Sequence, residues 1–292
     1  MAESHTVGHL AQIACLLEAT ARKPGNVHRF ADFDDCGYLD FALSAQAIGP
    51  VIDRVHELGI GRTILEGVRA TRAVVSTNTN LGILLLLVPL AAVPPGIDLR
   101  TGLKEVLRGT TVDDAKYVYE AIRLANPGGL GKVEEHDVAE EPVITLLEAM
   151  NLATKHDNIA LQYATNYRHV FRVGLAELEC ALSRNLPLEA AIILAHLRLM
   201  AACPDSLIAR KLGIEEALEA SRRARFVFQT GWPTGEYAKT TLKVFDDWLR
   251  AEGHARNPGT TADLVAATLF AALRAGFIRL PLDRPYHEQI PC

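Results

Sequence analysis

Val7-Gly8-His9-Leu10-Ala11-Gln12-Ile13-Ala14-Cys15-Leu16-Leu17 sets Val7, Leu10, Ile13, Ala14 and Leu17 three or four positions apart. That spacing stacks side chains on one face of an α-helix and scatters them on a strand. The same period returns at Ile144, Leu147 and Met150. Followed outward, it predicts helices near residues 4–20, 40–57, 61–75, 80–92, 101–108, 112–124, 142–155, 158–183, 187–202, 206–211, 214–225, 234–252 and 260–275. Strand-like alternation is nearly absent, so the expected fold class is all-α. Pro142 and Pro187 suit first-turn positions, Thr260 or Thr261 suits a cap with Asp263 close behind, and Gly276 suits the end of the last helix. The sharpest break is Asn126-Pro127-Gly128-Gly129-Leu130-Gly131, which more of the same helical pattern follows. With no repeat and no low-complexity linker, one all-helical domain over residues 1–292 is expected.

Composition narrows the function classes. The 292 residues are 49% apolar with a net charge of −5, ordinary for a globular chain and unlike a disordered one. No Lys/Arg block stands out, which argues against a nucleic-acid partner. Cys15, Cys36, Cys180, Cys203 and Cys292 show no short paired spacing, so neither a disulfide framework nor a zinc knuckle is expected, and a reducing cytoplasm fits. Glu3, His5 and His9 stand where a secretory signal would need a basic region. The longest apolar run, Leu81 to Val93, is interrupted by Pro89. It falls short of the ~20 residues a membrane span needs and reads as a buried helix.

Four polar, turn-forming segments interrupt the helical pattern: Lys23-Pro24-Gly25-Asn26-Val27-His28, Ser76-Thr77-Asn78-Thr79-Asn80-Leu81-Gly82, Pro204-Asp205-Ser206 and Asn257-Pro258-Gly259-Thr260-Thr261-Ala262-Asp263. In the first, Pro24 disfavours helix at Lys23 and Gly25 permits close approach of a ligand, so Lys23, Asn26 and His28 are delivered by a rigid turn. In the second, Asn78, Thr79 and Asn80 precede the buried Leu81–Val93 run, where unpaired N–H groups and the positive end of a helix dipole are available. Capping explains one such residue but does not need three. Asp205 and Ser206 read equally as a cap or as site residues. The last turn presents Asn257, Gly259, Thr260 and Thr261 in a setting suited to a phosphate or a substrate carbonyl. Its Asp263 either complements a helix dipole or acts on substrate. Between the first two segments lies an acidic stretch, Asp32, Asp34, Asp35 and Asp40, with Glu18 further back, a source of oxygen ligands for Mg²⁺. Asp40 and Ser44 share a helix face.

Other polar positions offer less. The Asn126–Gly131 segment lacks the Lys-Ser/Thr ending of a P-loop and reads as a lid or a simple loop. His136, Asp137, Lys155, His156 and Asp157 are scattered, with a solvated helix surface as their default. There is no Gly-x-Ser-x-Gly elbow and no His-Glu-x-x-His zinc site.

Taken in order, these segments resemble the triphosphoribosyl-dephospho-CoA synthase family nearly end to end. The resemblance rests on Arg22-Lys23-Pro24-Gly25, the acidic stretch through Asp40-Phe41 and Ser44, Asn78-Thr79, Asp205-Ser206-Leu207 and the Asn257-to-Leu264 pattern. Departures are also visible. Asn80-Leu81-Gly82 stands where the family has His-Lys-Gly, Ala209-Arg210-Lys211-Leu212-Gly213 where it has Arg-Gly-Gly, and Gly259-Thr260-Thr261 where it has Gly-Gly-Ser.

The resemblance implies transfer of the triphosphoribosyl group of ATP to the 2′-hydroxyl of 3′-dephospho-CoA with release of adenine. Substitution at the anomeric carbon asks for carboxylates near the ribose, a base for the hydroxyl, a donor for adenine and cations for the triphosphate. Asp40, Asp205 and Asp263 are the implied catalytic carboxylates. Lys23, Gly25, Asn26, His28, Ser44, Asn78, Thr79, Asn80, Ser206, Asn257, Gly259, Thr260 and Thr261 are the implied substrate-binding residues, and Asp35, Asp40 and Asp205 the implied Mg²⁺ ligands. If the segments form one site, Lys23, Asn78, Asp205 and Asp263 line one pocket. The partners implied are ATP and dephospho-CoA or a related nucleotide-like acceptor, with homo-oligomerisation left open. Two alternatives stand: ribosyl transfer in another coenzyme pathway, such as a pterin-type one-carbon carrier, or a non-catalytic helical nucleotide-binding protein.

Overall fold

The computed structural model describes residues 5–127 and 138–286. Residues 128–137, which include Gly128 to Gly131, His136 and Asp137, lie outside the described residues. Fifteen α-helices and no strand occur among the described residues, so the fold is all-α. The chain divides into two compact units, residues 1–16 with 39–167 and residues 17–38 with 168–292.

The first unit holds most of α1 (Val7–Thr20), then α2 (Tyr38–Ile52), α3 (Val55–Leu58), α4 (Ile60–Arg72), α5 (Leu81–Ala91), α6 (Leu99–Arg108), α7 (Val112–Ala125), α8 (Leu146–Ala153) and α9 (Asn158–Ala164). α5 is apolar on every face, and all of its residues except Gly82 are buried. A helix with no polar stripe belongs in a core. Gly61 lets α4 meet α7 closely, since a Cβ there would lie 2.5 Å from the Asp114 backbone.

Pro89, inside α5, has no N–H for the carbonyl of Leu85 four residues back. Two buried tyrosines supply the missing donors: Tyr163 Oη donates to Leu85 O at 2.7 Å, and Tyr167 Oη reaches Leu85 O at 3.3 Å and Leu86 O at 3.1 Å. This explains a departure from the expected helix over 158–183. The chain turns left-handed at Asn166 and Tyr167, with φ of 51° and 56°, and so places the Tyr167 ring in the core.

Several other ends differ for similar reasons. The helix expected over 40–57 breaks after Ile52, and the Asp53 carboxylate accepts from Thr6 Oγ1 and Gly8 N at the start of α1. The helix expected from Pro142 begins only at Leu146, behind a reciprocal cap between Thr145 and Glu148. Asp157, expected on a solvated surface, caps α9 through Ile159 N and Ala160 N.

The second unit holds α10 (Leu175–Ser183), preceded by a π-helical turn at Val170–Gly174, then α11 (Leu188–Ala202), α12 (Ser206–Leu212), α13 (Ile214–Gln229), α14 (Glu236–Arg250) and α15 (Gly259–Ala275). α11 is buried over almost its whole length and packs on α10, α13 and α15. Ile193, Leu197 and Met200 of α11, Ile208 of α12, Ala217, Ala220 and Ala224 of α13, and Phe245 and Leu249 of α14 form one apolar cluster. Gly276 closes α15 in the left-handed conformation at φ 75°, as its position after the last periodic residue implied.

The tyrosine arrangement makes a stability prediction. Tyr163→Phe with Tyr167→Phe leaves the Leu85 carbonyl buried without a donor and is expected to cost about 1–3 kcal/mol in denaturant unfolding. Adding Pro89→Ala to that double variant restores an N–H to the same carbonyl and recovers part of the loss. An equal loss with and without Pro89→Ala would show that the tyrosines do not act through this carbonyl.

Candidate active site

In the second unit the turn after α1 and the turn before α15 join through side chains more than 200 residues apart in sequence. Asn26 Nδ2 donates to Asn257 Oδ1 at 2.7 Å and reaches Pro258 O at 3.4 Å. Gly25 N donates to Asp246 Oδ1 at 2.7 Å, and Arg250 bonds both Asp246 Oδ1 and Asn26 O. Gly25 holds φ at 76°, and a Cβ there would fall 2.7 Å from Leu249 Cδ1 and 2.9 Å from Pro258 Cδ. Both its backbone conformation and its neighbours therefore exclude a side chain.

The expected caps of α15, Thr260 and Thr261, do not cap it themselves. Pro258 stands at the cap position without a side-chain bond, and the acceptor comes from Asp205 at the start of α12. Asp205 Oδ1 accepts from Leu207 N at 2.8 Å and Ile208 N at 3.2 Å, while Oδ2 accepts from Thr261 N and Thr261 Oγ1, each at 2.7 Å. Ser206 Oγ donates to Thr260 Oγ1 at 3.1 Å beside it. One carboxylate thus serves two helix N-termini. Burial pushes the Asp205 carboxyl up while these donors hold it down. All four side chains are buried, so both threonine hydroxyls point inward. Asp263 is half-buried on α15, one residue beyond its first turn.

Lys23 departs from the expectation of a lysine that meets phosphate oxygens. It is wholly buried, its Nζ lies 2.8 Å from Glu18 Oε1, and it also donates to the carbonyls of Glu18 and Ala21. Those three acceptors match the three N–H donors of an ammonium group. Arg22 is similarly committed: its Nε and Nη2 grip the buried Glu189 carboxylate of α11 at 3.0 and 2.6 Å.

His28 is nearly buried, and its Nδ1 accepts from Phe30 N at 3.2 Å. The neutral ring therefore carries its proton on Nε2. Burial, then the charges of Arg250 and Lys23, push its pKa down to about 4. Periodicity and motif gave no reason to single out His196 on α11, yet it is fully buried and is pushed down to about 3 by burial and by Lys23. It is the only polar residue in the run Ala190 to Leu197, the one signal that marks it in the sequence.

Asp40, Ser44, Asn78, Thr79 and Asn80 belong to the first unit, and Asp35 to the second. Ser44 Oγ donates to the backbone carbonyl of Asp40 at 2.6 Å, so Ser44 bonds the carbonyl of Asp40 and not its carboxylate. With the Ser44 proton so used, Thr79 Oγ1 is the donor in its short bond to Ser44. Asn80 Nδ2 donates to Thr71 Oγ1 at 2.8 Å, and Asn78 Oδ1 accepts from Leu81 N at 3.2 Å at the start of α5.

Of the acidic stretch, Asp32 Oδ1 accepts from Tyr38 N, and Asp35 lies 3.5 Å from His254 Nδ1 with both side chains exposed. Among the described residues no three His, Cys, Asp or Glu side chains gather into a metal cage.

The family model for ATP:dephospho-CoA triphosphoribosyl transferase, CitG, matches residues 4–278, which takes in all four polar segments. The chain belongs to this family. A solved structure from Archaeoglobus fulgidus, described as a triphosphoribosyl-dephospho-CoA synthase, is 27% identical to the transferase. The match covers 80% of the transferase and 98% of the archaeal chain, with a TM-score of 0.61. Comparison with curated proteins gives no match. No single described helix of the transferase is long and apolar enough to cross a membrane.

Two outcomes follow from this geometry. Lys23→Ala strands the buried Glu18 carboxylate and is expected to cost about 3–5 kcal/mol, whereas Lys23→Met with Glu18→Gln recovers most of that loss in urea unfolding. Unfolding is also expected to take up protons at His28 and His196. Their folded pKa values lie below the ordinary 6.5, so the stability they confer is complete above pH 6.5 and is lost as the pH falls towards 4. His196→Leu should lower the protons taken up on unfolding near pH 5 by about one, read from the pH dependence of unfolding free energy.

Proposed function

We propose that the transferase moves the triphosphoribosyl group of ATP onto the 2′-hydroxyl of 3′-dephospho-CoA and releases adenine, with the second unit's joined turns contributing to the site. The observation that carries this reading is the junction of the Arg22–His28 turn with the Asn257–Thr261 turn over Asp205, inside the residues matched by the family model. Asp263, half-buried beside that junction in sequence, is the carboxylate assigned to the charge that develops at the anomeric carbon. Asp205 is a positioning residue, because its oxygens already serve four donors. His28, fixed as the Nε2–H tautomer, is a neutral donor for a substrate nitrogen or oxygen. Lys23 acts through the shape of the turn.

Mg²⁺ fits a supporting part. It keeps few protein ligands when a triphosphate is present, since phosphate oxygens and water supply the rest. Asp35 or Asp40 would provide the protein oxygen, and the ion would offset phosphate charge.

One observation favours a second reading in which the acceptor differs. Where the family has His-Lys, Asn80 and Leu81 are both buried, and Asn80 spends its amide on Thr71. A related nucleotide-like acceptor would then replace dephospho-CoA.

Incubation with ATP, Mg²⁺ and dephospho-CoA, followed by mass spectrometry, tests both readings: adenine with a triphosphoribosyl adduct of dephospho-CoA is the expected result. Adenine release only with another acceptor would support the second. Asp263→Asn is expected to lower single-turnover adenine release by about 10²–10⁴-fold with an unchanged melting temperature. A lowered melting temperature with unchanged release would return Asp263 to a helix-dipole role. ATP affinity by calorimetry should fall when EDTA is added, and equal affinities would remove Mg²⁺ from binding.

A further inference from the structure

The turn that buries His28 also holds an aromatic ring out in solvent. His28 N donates to Ala31 O at 3.1 Å and Ala31 N donates to His28 O at 2.8 Å, a pair of bonds that closes a tight loop with Arg29 and Phe30 at its tip. The His28 ring adds a third restraint by accepting Phe30 N. Phe30 is nevertheless 69% exposed, the second most exposed large apolar side chain among the described residues. Exposing a phenyl ring forgoes burial worth about 1.5–3 kcal/mol, and here a fixed backbone enforces it.

The ring is not without context. The Arg29 guanidinium carbon lies 4.7 Å from the Phe30 centroid and 5.3 Å from that of Tyr286, and Arg29 Nη2 sits 3.4 Å from Glu189. One face of Phe30 is therefore covered by a cation held in place, and the ring remains largely open to solvent. An open aromatic face beside a guanidinium suits a ligand that joins a flat heterocycle to phosphate, because the base stacks and the charge is met alongside. Both substrates named by the family description, ATP and dephospho-CoA, carry adenine in that form. Phe30 lies two residues from His28 and four from Asn26, and its ring stands edge-on to that of His28 with centroids 6.5 Å apart, which ties the platform to the candidate site.

We propose that Phe30, backed by Arg29, is a stacking platform for the adenine ring of one of the two nucleotide substrates. The proposal rests on the reading of this chain as an enzyme acting on adenine nucleotides, but it can be tested by binding alone.

In the full-length protein, Phe30→Ala is expected to weaken binding of either ATP or dephospho-CoA, each titrated separately by calorimetry, by about ten- to hundredfold, the range that loss of one stacked base gives. The nucleotide affected identifies which adenine the platform holds. Phe30→Trp should retain affinity, and its added indole fluorescence should be quenched by AMP beyond any change in the parent protein, which already carries Trp232 and Trp248. Quenching by AMP in a protein that released no adenine would keep the platform while removing the proposed reaction. Unchanged affinity for both nucleotides in folded Phe30→Ala would overturn the platform. So would a change from dimer to monomer in that variant with affinity unchanged, since a second copy would then cover the ring.

Discussion

The second unit depends on one buried carboxylate. Asp205 accepts from the first turn of its own helix and, with its other oxygen, from the N–H and hydroxyl of Thr261. A buried carboxylate costs several kcal/mol unless donors replace its water, and four donors from two helices do so only when α12 and α15 start side by side. This fixes where α15 begins. The Asn257–Pro258 turn before it then has one place to lie, Asn26 bonds to that turn, and Gly25 must pass between Leu249 and Pro258 without a Cβ. A local electrostatic requirement thus sets the register between segments far apart in the chain.

The same logic explains why polar side chains in these turns are buried more often than they face solvent. Lys23 with Glu18 and Asn80 with Thr71 are pairs in which neither partner could be buried alone, and the exposed Arg22 reaches in to meet the buried Glu189 carboxylate. Such pairs add little net stability against apolar replacements of the same size. They do penalise alternative packings heavily, because a shift of the turn leaves a charge without its partner. The cost of misplacing any one of them keeps the loops between helices in a single geometry, which a reaction at a ribose carbon requires of its surroundings.

Much of the fold was legible because a 3.6-residue period survives any tertiary context that buries one face of a helix. The errors fall where a side chain from elsewhere claims a backbone group. Asp53 turns to cap α1 and its own helix ends before it. Tyr167 is drawn into the core by the carbonyl that Pro89 leaves unpaired, and Asp205 takes the capping role that Thr260 or Thr261 held on sequence grounds. The polar segments of the site were visible as departures from periodicity, but their pairing was not. Nothing in the local sequence at Asn26 announces a bond to a residue 231 positions away. Lys23 looked available because a lysine beside Pro-Gly is usually solvated, and only the position of Glu18 five residues earlier hinted at its actual partner.

An all-helical protein presents unpaired backbone donors to a ligand chiefly at helix N-termini. In this transferase the N-terminus of α15 is filled by Asp205, which holds the position an anionic ligand would otherwise take. Side-chain cations near that turn are then the main candidates for phosphate recognition, and these differ in how firmly they are held. Lys23 has no exposed atom, and Arg22 grips Glu189 through two nitrogens, the closer at 2.6 Å. Arg29 meets the same carboxylate at 3.4 Å and lies over two aromatic rings, 4.7 Å from the Phe30 centroid and 5.3 Å from that of Tyr286. A guanidinium stacked on rings keeps its edge free for charged oxygen while its plane is fixed. Among the cations of the Arg22–His28 turn and its loop, Arg29 is thus the one that can exchange a weak internal partner for a phosphate at the smallest cost.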